Sequence, residues 1–493
     1  MENYIIVIDQ GTTSSRVILF DVRGNIVGIE QKELKLITKD GAILHDPIQI
    51  YEDVVELFTS LLEKVNIDYR GILGVGITNQ RETTVVWNKD NLEPVDLAIV
   101  WQSTHTNYIC EELDSRGYTE LIQAKTGLRI NPYFSGSKIA HIVRTNEKAK
   151  VLMENDKLAF GTIDSWLVAK LTQGKHHVTD YTNASRTMLF NIHTLKFDEE
   201  LLDIFALKPS ILPKVLNSND TIGLIEDSRI KKFGDFSIKA LIGDQQASLF
   251  GHTCFDAGSF KITYGTGSFM LLNTKDRIIN SQNGLLSTIA YGLDGKVSYA
   301  LEGSVFVAGS AFQFIRDNLD LVKDYSDEIF EKNNNGVYFV PALTGLGAPY
   351  WQTGAKGAIF GLTRSTSKEN IVRATLEGVA FLNYDVYSSM KEDSGIQIEE
   401  ISVDGGASKN KNLMQFEADI MDVKIKTIST SEATALGCFY LVGLNTKVFT
   451  SLEMIKKLHK YIKVYNPEKK RDEFERKYHK WKKAVEATLI FSK

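Results

Sequence analysis

The sequence predicts an α/β protein of two domains with a ligand-binding cleft between them, and three observations carry that prediction. An apolar run, Tyr4–Asp9, gives way to the small polar turn Gln10–Ser15 and resumes as Val17–Phe20. The same pattern returns just past the midpoint: Gly258–Thr263 leads through Tyr264-Gly265-Thr266-Gly267-Ser268 into Phe269–Leu272. Finally, 493 residues exceed what one hydrophobic core organises. Two such strand–turn–strand units, one per half, imply a duplicated architecture with nucleotide held between the halves.

The first unit reads as a strand, a tight turn and a returning antiparallel strand, closed by Arg23-Gly24-Asn25. Its turn gathers backbone N–H groups with the hydroxyls of Thr12, Thr13, Ser14 and Ser15, and Gly11 permits close approach, which makes an anion-binding nest. Asp9 at the strand end is placed to hold a hydrated Mg²⁺, which favours one or two carboxylates plus phosphate oxygens. The plainer alternative is an ordinary edge hairpin. Helical spacing of Ile50, Val54, Leu57, Leu61 and Val65 predicts a helix over 48–65.

The strand Ile72–Thr78 runs directly into Asn79-Gln80-Arg81-Glu82-Thr83-Thr84. Strand ends of α/β sheets are where ligands bind. Arg81 is a donor fork and Glu82 a double acceptor, a pairing that grips a vicinal diol unless it is a surface salt bridge. A strand over Leu97–Trp101 ends in Trp101-Gln102, and the loop Asn131–Gly136 supplies Tyr133 and Phe134, either walls for a small polar ligand or core aromatics. Phe160–Leu171 reads as a strand end entering a helix, and Asp180–Thr187 as a polar, turn-rich stretch of the kind that lines clefts. Beyond the basic loop Lys231–Asp235, the strand Lys239–Ile242 ends in Gly243-Asp244 before a helix-forming segment. Asp244 is thus a carboxylate at a strand-to-helix turn, a position compatible with helix N-capping.

In the second half, small residues at Ala308–Ala311 open a helix with Gln313 one turn in. The Gly/Pro loop Gly345–Trp351 and the segment Gly357–Arg364 precede a long amphipathic helix, Glu369–Ser389. The strand at Ile401–Val403 runs into Asp404-Gly405-Gly406, where glycines let a base or ribose lie against the backbone, and Asn410 offers both donor and acceptor. Glu468–Lys493 reads as a charged, solvated helix docked through Trp481 and Val485.

Composition is that of an ordinary soluble globular protein, 43% hydrophobic and 24% charged. With 57 basic against 62 acidic residues the net charge is −5, which argues against a nucleic-acid-binding surface. No run approaches the roughly 18 apolar residues of a membrane helix, and Met1-Glu2-Asn3 opens no secretory signal. The cysteines Cys110, Cys254 and Cys438 are widely spaced and lack metal-ligand spacing, which suits small buried residues in a reducing, cytoplasmic compartment.

Taken together, these stretches resemble the FGGY carbohydrate kinase family from Tyr4 to Ala487. The runs Asp9–Arg16, Ile77–Thr84, Asp180–Phe190, Gly243–Gln246, Thr263–Gly267 and Asp404–Ala407 resemble its glycerol-phosphorylating members in place of its pentulose kinases. Gly357–Glu377 is similar to the family's second signature. The resemblance implies the two-domain actin-like ATPase (ribonuclease H-like) fold with a central cleft. Residues 1–250 would form the polyol and phosphate side, and 251–493 the nucleotide side with the C-terminal helix. It implies ATP-dependent phosphorylation of glycerol to sn-glycerol 3-phosphate, with Asp244 as general base. Arg81, Glu82, Trp101, Tyr133, Asp244, Gln245 and Phe269 match positions around glycerol. Thr12, Thr13, Ser14, Arg16, Thr266, Gly309, Gln313, Gly406 and Asn410 match positions at the nucleotide, and Asp9 and Asp244 match positions near Mg²⁺. Glycerol and ATP are the expected partners, in a cytoplasmic homo-oligomer (dimer or tetramer) without nucleic acid or membrane insertion. A kinase of another polyol or ketose, or a non-catalytic nucleotide-dependent module, are the alternatives. Two positions depart from the family: Ser103-Thr104-His105-Thr106 stands where an arginine or two usually follows Trp-Gln, and His141 stands at a usual tryptophan.

Overall fold

The structure, a computed structural model, describes residues 2–323, 330–428, 432–468 and 472–492. The first hairpin forms as expected: β1 (Tyr4–Gln10) and β2 (Ser14–Asp21) pair antiparallel, with Asp9 opposite Arg16. β2 pairs antiparallel with β3 (Ile26–Glu33). β1 pairs in parallel with β4 (Ile72–Asn79), and β4 in parallel with β5 (Ser237–Gly243). The order is β5-β4-β1-β2-β3, with the two-residue strand Gly223–Leu224 antiparallel on the outer edge of β5. The expected strand Leu97–Trp101 shrinks to Ala98–Ile99.

Every residue of β1 is buried, so both faces of this sheet need cover. Period-two alternation decides which layer each side chain feeds. Ile6, Ile8, Val17, Leu19, Val75 and Ile77 join the core built by the helix Pro47–Lys64. That helix starts where Asp46 accepts from the N–H groups of Ile48 and Gln49, with Pro47 in its first turn. The opposite face takes Phe20, its ring centroid 5.0 Å from that of Phe439, and Gly76, where a Cβ would lie 2.5 Å from Cys438 Sγ. Phe439 and Cys438 belong to the helix Ala433–Asn445, which also meets the helix Asp244–Gly251 at close range. A Cβ on Gly437 would fall 1.9 Å from Ala247 O, so only glycine permits that approach.

The compact units are therefore discontinuous in sequence. The first comprises Met1–Thr253, Ser287–Tyr299 and Glu432–His459, and the second Cys254–Leu286, Ala300–Ser431 and Lys460–Lys493. The expected cut at 250/251 lies beside the first of these crossings. The late segment 432–459 counts with the first unit because its helix covers the sheet face that no earlier helix takes.

The second unit builds its sheet on the second hairpin, β6 (Phe260–Tyr264) and β7 (Ser268–Lys275), antiparallel with Tyr264 opposite Ser268. β8 (Lys296–Val305) lies beyond β7. On the other side β9 (Glu400–Gly405) pairs in parallel with β6, β10 (Lys424–Ile428) in parallel with β9, and β11 (Tyr461–Tyr465) antiparallel on the edge. The strand Leu286–Leu293 lies outside β8, so the sheet has seven strands. The part β7-β6-β9-β10-β11 has the same pattern as in the first sheet, a hairpin, two parallel strands and an antiparallel edge. The two look-alike hairpins thus mark a repeated five-strand pattern within the two sheets.

The long helix extends over Lys368–Ser394, beyond the expected Glu369–Ser389. A capping box of Ser367 and Asn370 starts it, and Gly395 at φ +62° ends it. The C-terminal helix Asp472–Phe491 docks as expected through Trp481 and Val485: Trp481 is fully buried and stacks on Phe381 with centroids 5.4 Å apart. Buried Asp385 accepts from Tyr350 Oη at 2.7 Å, Tyr478 Oη at 2.5 Å and Trp481 Nε1 at 3.2 Å. Among the described residues no helix is long and apolar enough to cross a membrane.

Candidate active site

In the first unit the strand registers align Gln10, Asn79 and Gly243 side by side. Asp9, the pair Arg81–Glu82 and Asp244 consequently gather at the C-terminal ends of three parallel strands. β1 and β5 are two strand spacings apart, about 10 Å.

After Asn79 the chain turns sharply. Thr83 N–H donates to Arg81 O at 2.6 Å, across Glu82 at φ +59°. Arg81 donates through Nη1 to Gln246 Oε1 at 3.1 Å and through Nη2 to Tyr133 Oη at 3.3 Å. Its Nε lies 3.5 Å from Asp244 Oδ1 and 3.9 Å from Glu82 Oε1. Glu82 in turn accepts from Arg186 Nε at 2.6 Å. Arg81, Glu82 and Arg186 are buried, whereas the Asp244 side chain keeps 27% of its surface exposed. Two guanidiniums and two carboxylates thus balance one another, the condition under which charges survive burial. Gly243 leaves room for this: a Cβ there would fall 2.7 Å from Arg81 Cγ.

Asp244 is the first residue of its helix, with Gly243 as the N-cap, so the N-capping role open to it from sequence is not the one it takes. Its Oδ1 accepts from the N–H of Gln245 at 2.6 Å, and the helix dipole favours its negative charge. Gln245 is half-buried beside it. The glutamine that binds Arg81 is its buried neighbour Gln246, a residue sequence reasoning passed over.

Trp101 and Tyr133 form a half-buried aromatic wall, centroids 5.5 Å apart and planes at 70°. Trp101 Nε1 donates to Thr12 Oγ1 at 2.8 Å, which joins this wall to the first hairpin. The Tyr133 loop is clamped by fully buried Lys138. Its Nζ donates to the carbonyls of Pro132, Tyr133 and Phe134 at 2.7, 2.5 and 3.2 Å. Burial pulls the Lys138 ammonium down to about 7. Lysine was not singled out from sequence, because an isolated lysine ordinarily signals surface. The two family departures pack together: His105 Nδ1 lies 2.8 Å from Ser103 Oγ, the His105 and His141 rings are 4.7 Å apart, and His141 Nδ1 lies 3.0 Å from Tyr108 Oη. Burial lowers the pKa of both histidines, that of His105 to about 4.

In the first hairpin Gly11 N–H donates to Ser14 O at 2.9 Å, and Leu34 N–H donates to Thr13 O at 2.8 Å, leaving Thr13 exposed at the tip. Gln80 braces the turn from below, donating to Gly11 O and Gln10 Oε1, each at 3.1 Å. Arg16 bridges Asp9, at 2.5 Å, and Glu432. Burial raises the Asp9 pKa, which Arg16 opposes.

The second unit assembles its own set. Gly265 N–H donates to Gly267 O, and Gly309 N–H to Gly265 O at 3.2 Å, so the helix Gly309–Gln313 starts against the hairpin tip. A Cβ on Gly309 would fall 2.3 Å from Gly265 O. Thr266 and Gln313 are exposed. Tyr264 pairs with Gly405, which brings exposed Gly406 beside the hairpin, and Gly406 has open space where a side chain would stand. Asn410 caps the helix Lys411–Met421, its Oδ1 accepting from Asn412 and Leu413 N–H. Phe269 sits on β7 opposite Thr263 in this unit.

Among the described residues no cluster of three or more His, Cys, Asp or Glu is arranged to hold a metal ion. Asp9 and Asp244 are hard oxygen donors, carried at the ends of strands that lie two spacings, about 10 Å, apart. Such a donor set fits Mg²⁺ held mainly by phosphate and water oxygens.

Residues 4–251 match the N-terminal domain, and residues 260–445 the C-terminal domain, of the FGGY family of carbohydrate kinases. A glycerol kinase of Staphylococcus epidermidis is 48% identical over 499 residues, spanning 100% of this chain and 99% of that relative. One from Bacillus licheniformis is 49% identical over 497 residues, with 100% of both chains covered. Among solved structures, glycerol kinase of Plasmodium falciparum with ADP superposes with a TM-score of 0.93 at 37% identity, covering 99% of this chain and 98% of that one.

Proposed function

The chain belongs to the FGGY family of carbohydrate kinases, and on that premise we propose that it transfers the γ-phosphoryl group of ATP to a terminal hydroxyl of glycerol, giving sn-glycerol 3-phosphate. The observation that carries this reading is the buried cluster Arg81–Glu82–Arg186 with half-exposed Asp244 at its rim. It offers a small polyol a donor fork, an acceptor and a base within one hydrogen-bond network.

Phosphoryl transfer asks the protein for position and charge neutralisation more than for covalent chemistry. Asp244 accepts the proton of the attacking hydroxyl, while Arg81 donates to and Glu82 accepts from the other two. Trp101, Tyr133, Gln245 and Phe269 enclose the carbon skeleton. Thr12, Thr13, Ser14 and Arg16 serve the phosphates from the first hairpin, and Thr266, Gly309, Gln313, Gly406 and Asn410 serve the nucleotide. Asp9 and Asp244 are the carboxylates that would hold Mg²⁺, which when bound neutralises phosphate charge. Polyol and phosphate binding are assigned to the 1–250 side and nucleotide binding to the 251–493 side. A cytoplasmic location is supported by the three cysteines being buried, as small apolar residues of a reducing compartment are, and a homo-oligomer by family resemblance, which sedimentation tests.

A coupled assay with Mg-ATP and a panel of polyols and ketoses tests the reading. Glycerol is expected to give the highest kcat/KM. A ketose that exceeds it makes the protein a different carbohydrate kinase, and ATP binding without turnover of any acceptor makes it a binding module.

A further inference from the structure

The polar stretch Asp180–Thr187 reads from sequence as a cleft lining, yet Asp180, Thr182, Asn183, Ser185 and Arg186 are all buried. It runs through the short helix Tyr181–Ala184 behind the strand ends that carry the polyol residues. Asp180 anchors it. Its carboxylate accepts from Thr182 Oγ1 at 2.7 Å, from the N–H and Nδ2 of Asn183 at 3.0 Å each, and from Ser218 Oγ at 2.8 Å.

Three contacts then run from this segment toward the site. Thr182 Oγ1 accepts from the N–H of Gly243 at 2.9 Å, and Gly243 immediately precedes Asp244. A hydroxyl has one proton, and Asp180 takes it, so the Thr182 lone pair is left aimed at Gly243. Asn183 and Asn79 exchange amide hydrogen bonds at 3.0 and 3.1 Å, holding the last residue of β4 just ahead of Arg81 and Glu82. Arg186 donates through Nε to Glu82 Oε1 at 2.6 Å, and its guanidinium lies 5.5 Å over the Tyr133 ring and 5.1 Å over the Phe134 ring.

We propose that Asp180–Arg186 is the positioning module of the polyol site, in which Arg186 sets the acceptor geometry of Glu82 and Thr182 sets the backbone that carries Asp244. The inference rests on the glycerol reading above. Its two arms act on different quantities. Glu82 holds a hydroxyl in ground and transition states alike, so disturbing Arg186 changes glycerol KM. Asp244 acts on the attacking hydroxyl, so disturbing Thr182 changes kcat.

The test measures KM for glycerol, KM for ATP, kcat and Tm in Arg186→Lys, Thr182→Val and Thr182→Ser, and repeats Arg186→Lys in a Glu82→Gln background. Lysine keeps the charge but loses the planar fork. Arg186→Lys is expected to raise glycerol KM about ten- to a hundredfold, the range of a charged hydrogen bond, with ATP KM within about twofold. In Glu82→Gln the same change should add little, because Arg186 acts through Glu82. Thr182→Val should lower kcat about ten- to a hundredfold, and Thr182→Ser should restore it. Equal rises in both KM values, or full additivity with Glu82→Gln, overturn the Arg186 arm. Normal kcat in Thr182→Val overturns the other. If Arg186→Lys does not fold, the Thr182 pair decides alone. A wild-type protein that turns over no glycerol in the same assay overturns the glycerol reading itself, a result distinct from all of these.

Discussion

Replacing Asp244 by asparagine separates a catalytic base from a structural carboxylate. The side chain keeps 27% of its surface exposed, accepts from Gln245 N–H at 2.6 Å and faces Arg81 Nε at 3.5 Å. Asparagine keeps the amide-accepting oxygen, so the helix start survives. The favourable interaction of a negative charge with the helix N-terminus is lost, worth about 0.3–1 kcal/mol. Loss of the Arg81–Asp244 pair adds about 1.5–3 kcal/mol, the range for a charged hydrogen bond, because Arg81 is buried but retains Gln246, Tyr133 and Glu82. Stability should therefore fall by roughly 2–4 kcal/mol, a Tm shift of several degrees. Turnover should fall much further. A terminal alcohol does not ionise at neutral pH, and general-base assistance contributes about 10²–10⁴ in rate. The assay is steady-state glycerol phosphorylation beside a melting curve and titration with Mg-ATP. The expected result is a folded, ATP-binding protein with kcat down at least about a hundredfold. A near-normal kcat in a folded variant would refute the assignment of Asp244 as base.

Arg81→Ala should raise glycerol KM about ten- to a hundredfold, the value of a charged hydrogen bond; an unchanged KM removes Arg81 from the polyol site. Solution scattering with glycerol and a non-hydrolysable ATP analogue should show compaction, since excluding water protects the phosphoryl group from hydrolysis, and an unchanged radius of gyration argues against closure. Asp385→Ala leaves the donors of Tyr350, Tyr478 and Trp481 without their acceptor, so it should cost at least about 2 kcal/mol; an unchanged Tm would show that the C-terminal helix is held otherwise. Burial pushes the Glu417 carboxyl up from 4.5 to about 7. The folded state then binds the extra proton between those values, so this group's stabilisation is complete below pH 4.5 and is lost as pH rises through 7, by on the order of 3 kcal/mol at most. Glu417→Gln should flatten that part of the stability–pH curve, and an unaltered slope would rule Glu417 out as its source.

Local patterns in the chain were sufficient for much of this molecule. Both hairpins, the helix beginning at Pro47, the strand into Arg81-Glu82 and the Gly243-Asp244 turn each rest on period, turn chemistry or capping within a few residues of one another. Such signals survive without knowledge of any partner, and the resemblance of those same runs to carbohydrate kinases supplied their chemical meaning. Pairings that join distant residues carry no local mark. Arg186 meets Glu82 across 104 positions and Gln246 meets Arg81 across 165. Nothing in their neighbourhoods separates Gln246 from Gln245, or a buried Arg186 from a surface arginine, because that depends on which side of a helix start or strand end the fold turns inward. The helix Ala433–Asn445 is the clearest case. Its apolar sequence marks it as buried, but only the sheet's second bare face, with glycine at Gly76 to admit it, makes it part of the first unit.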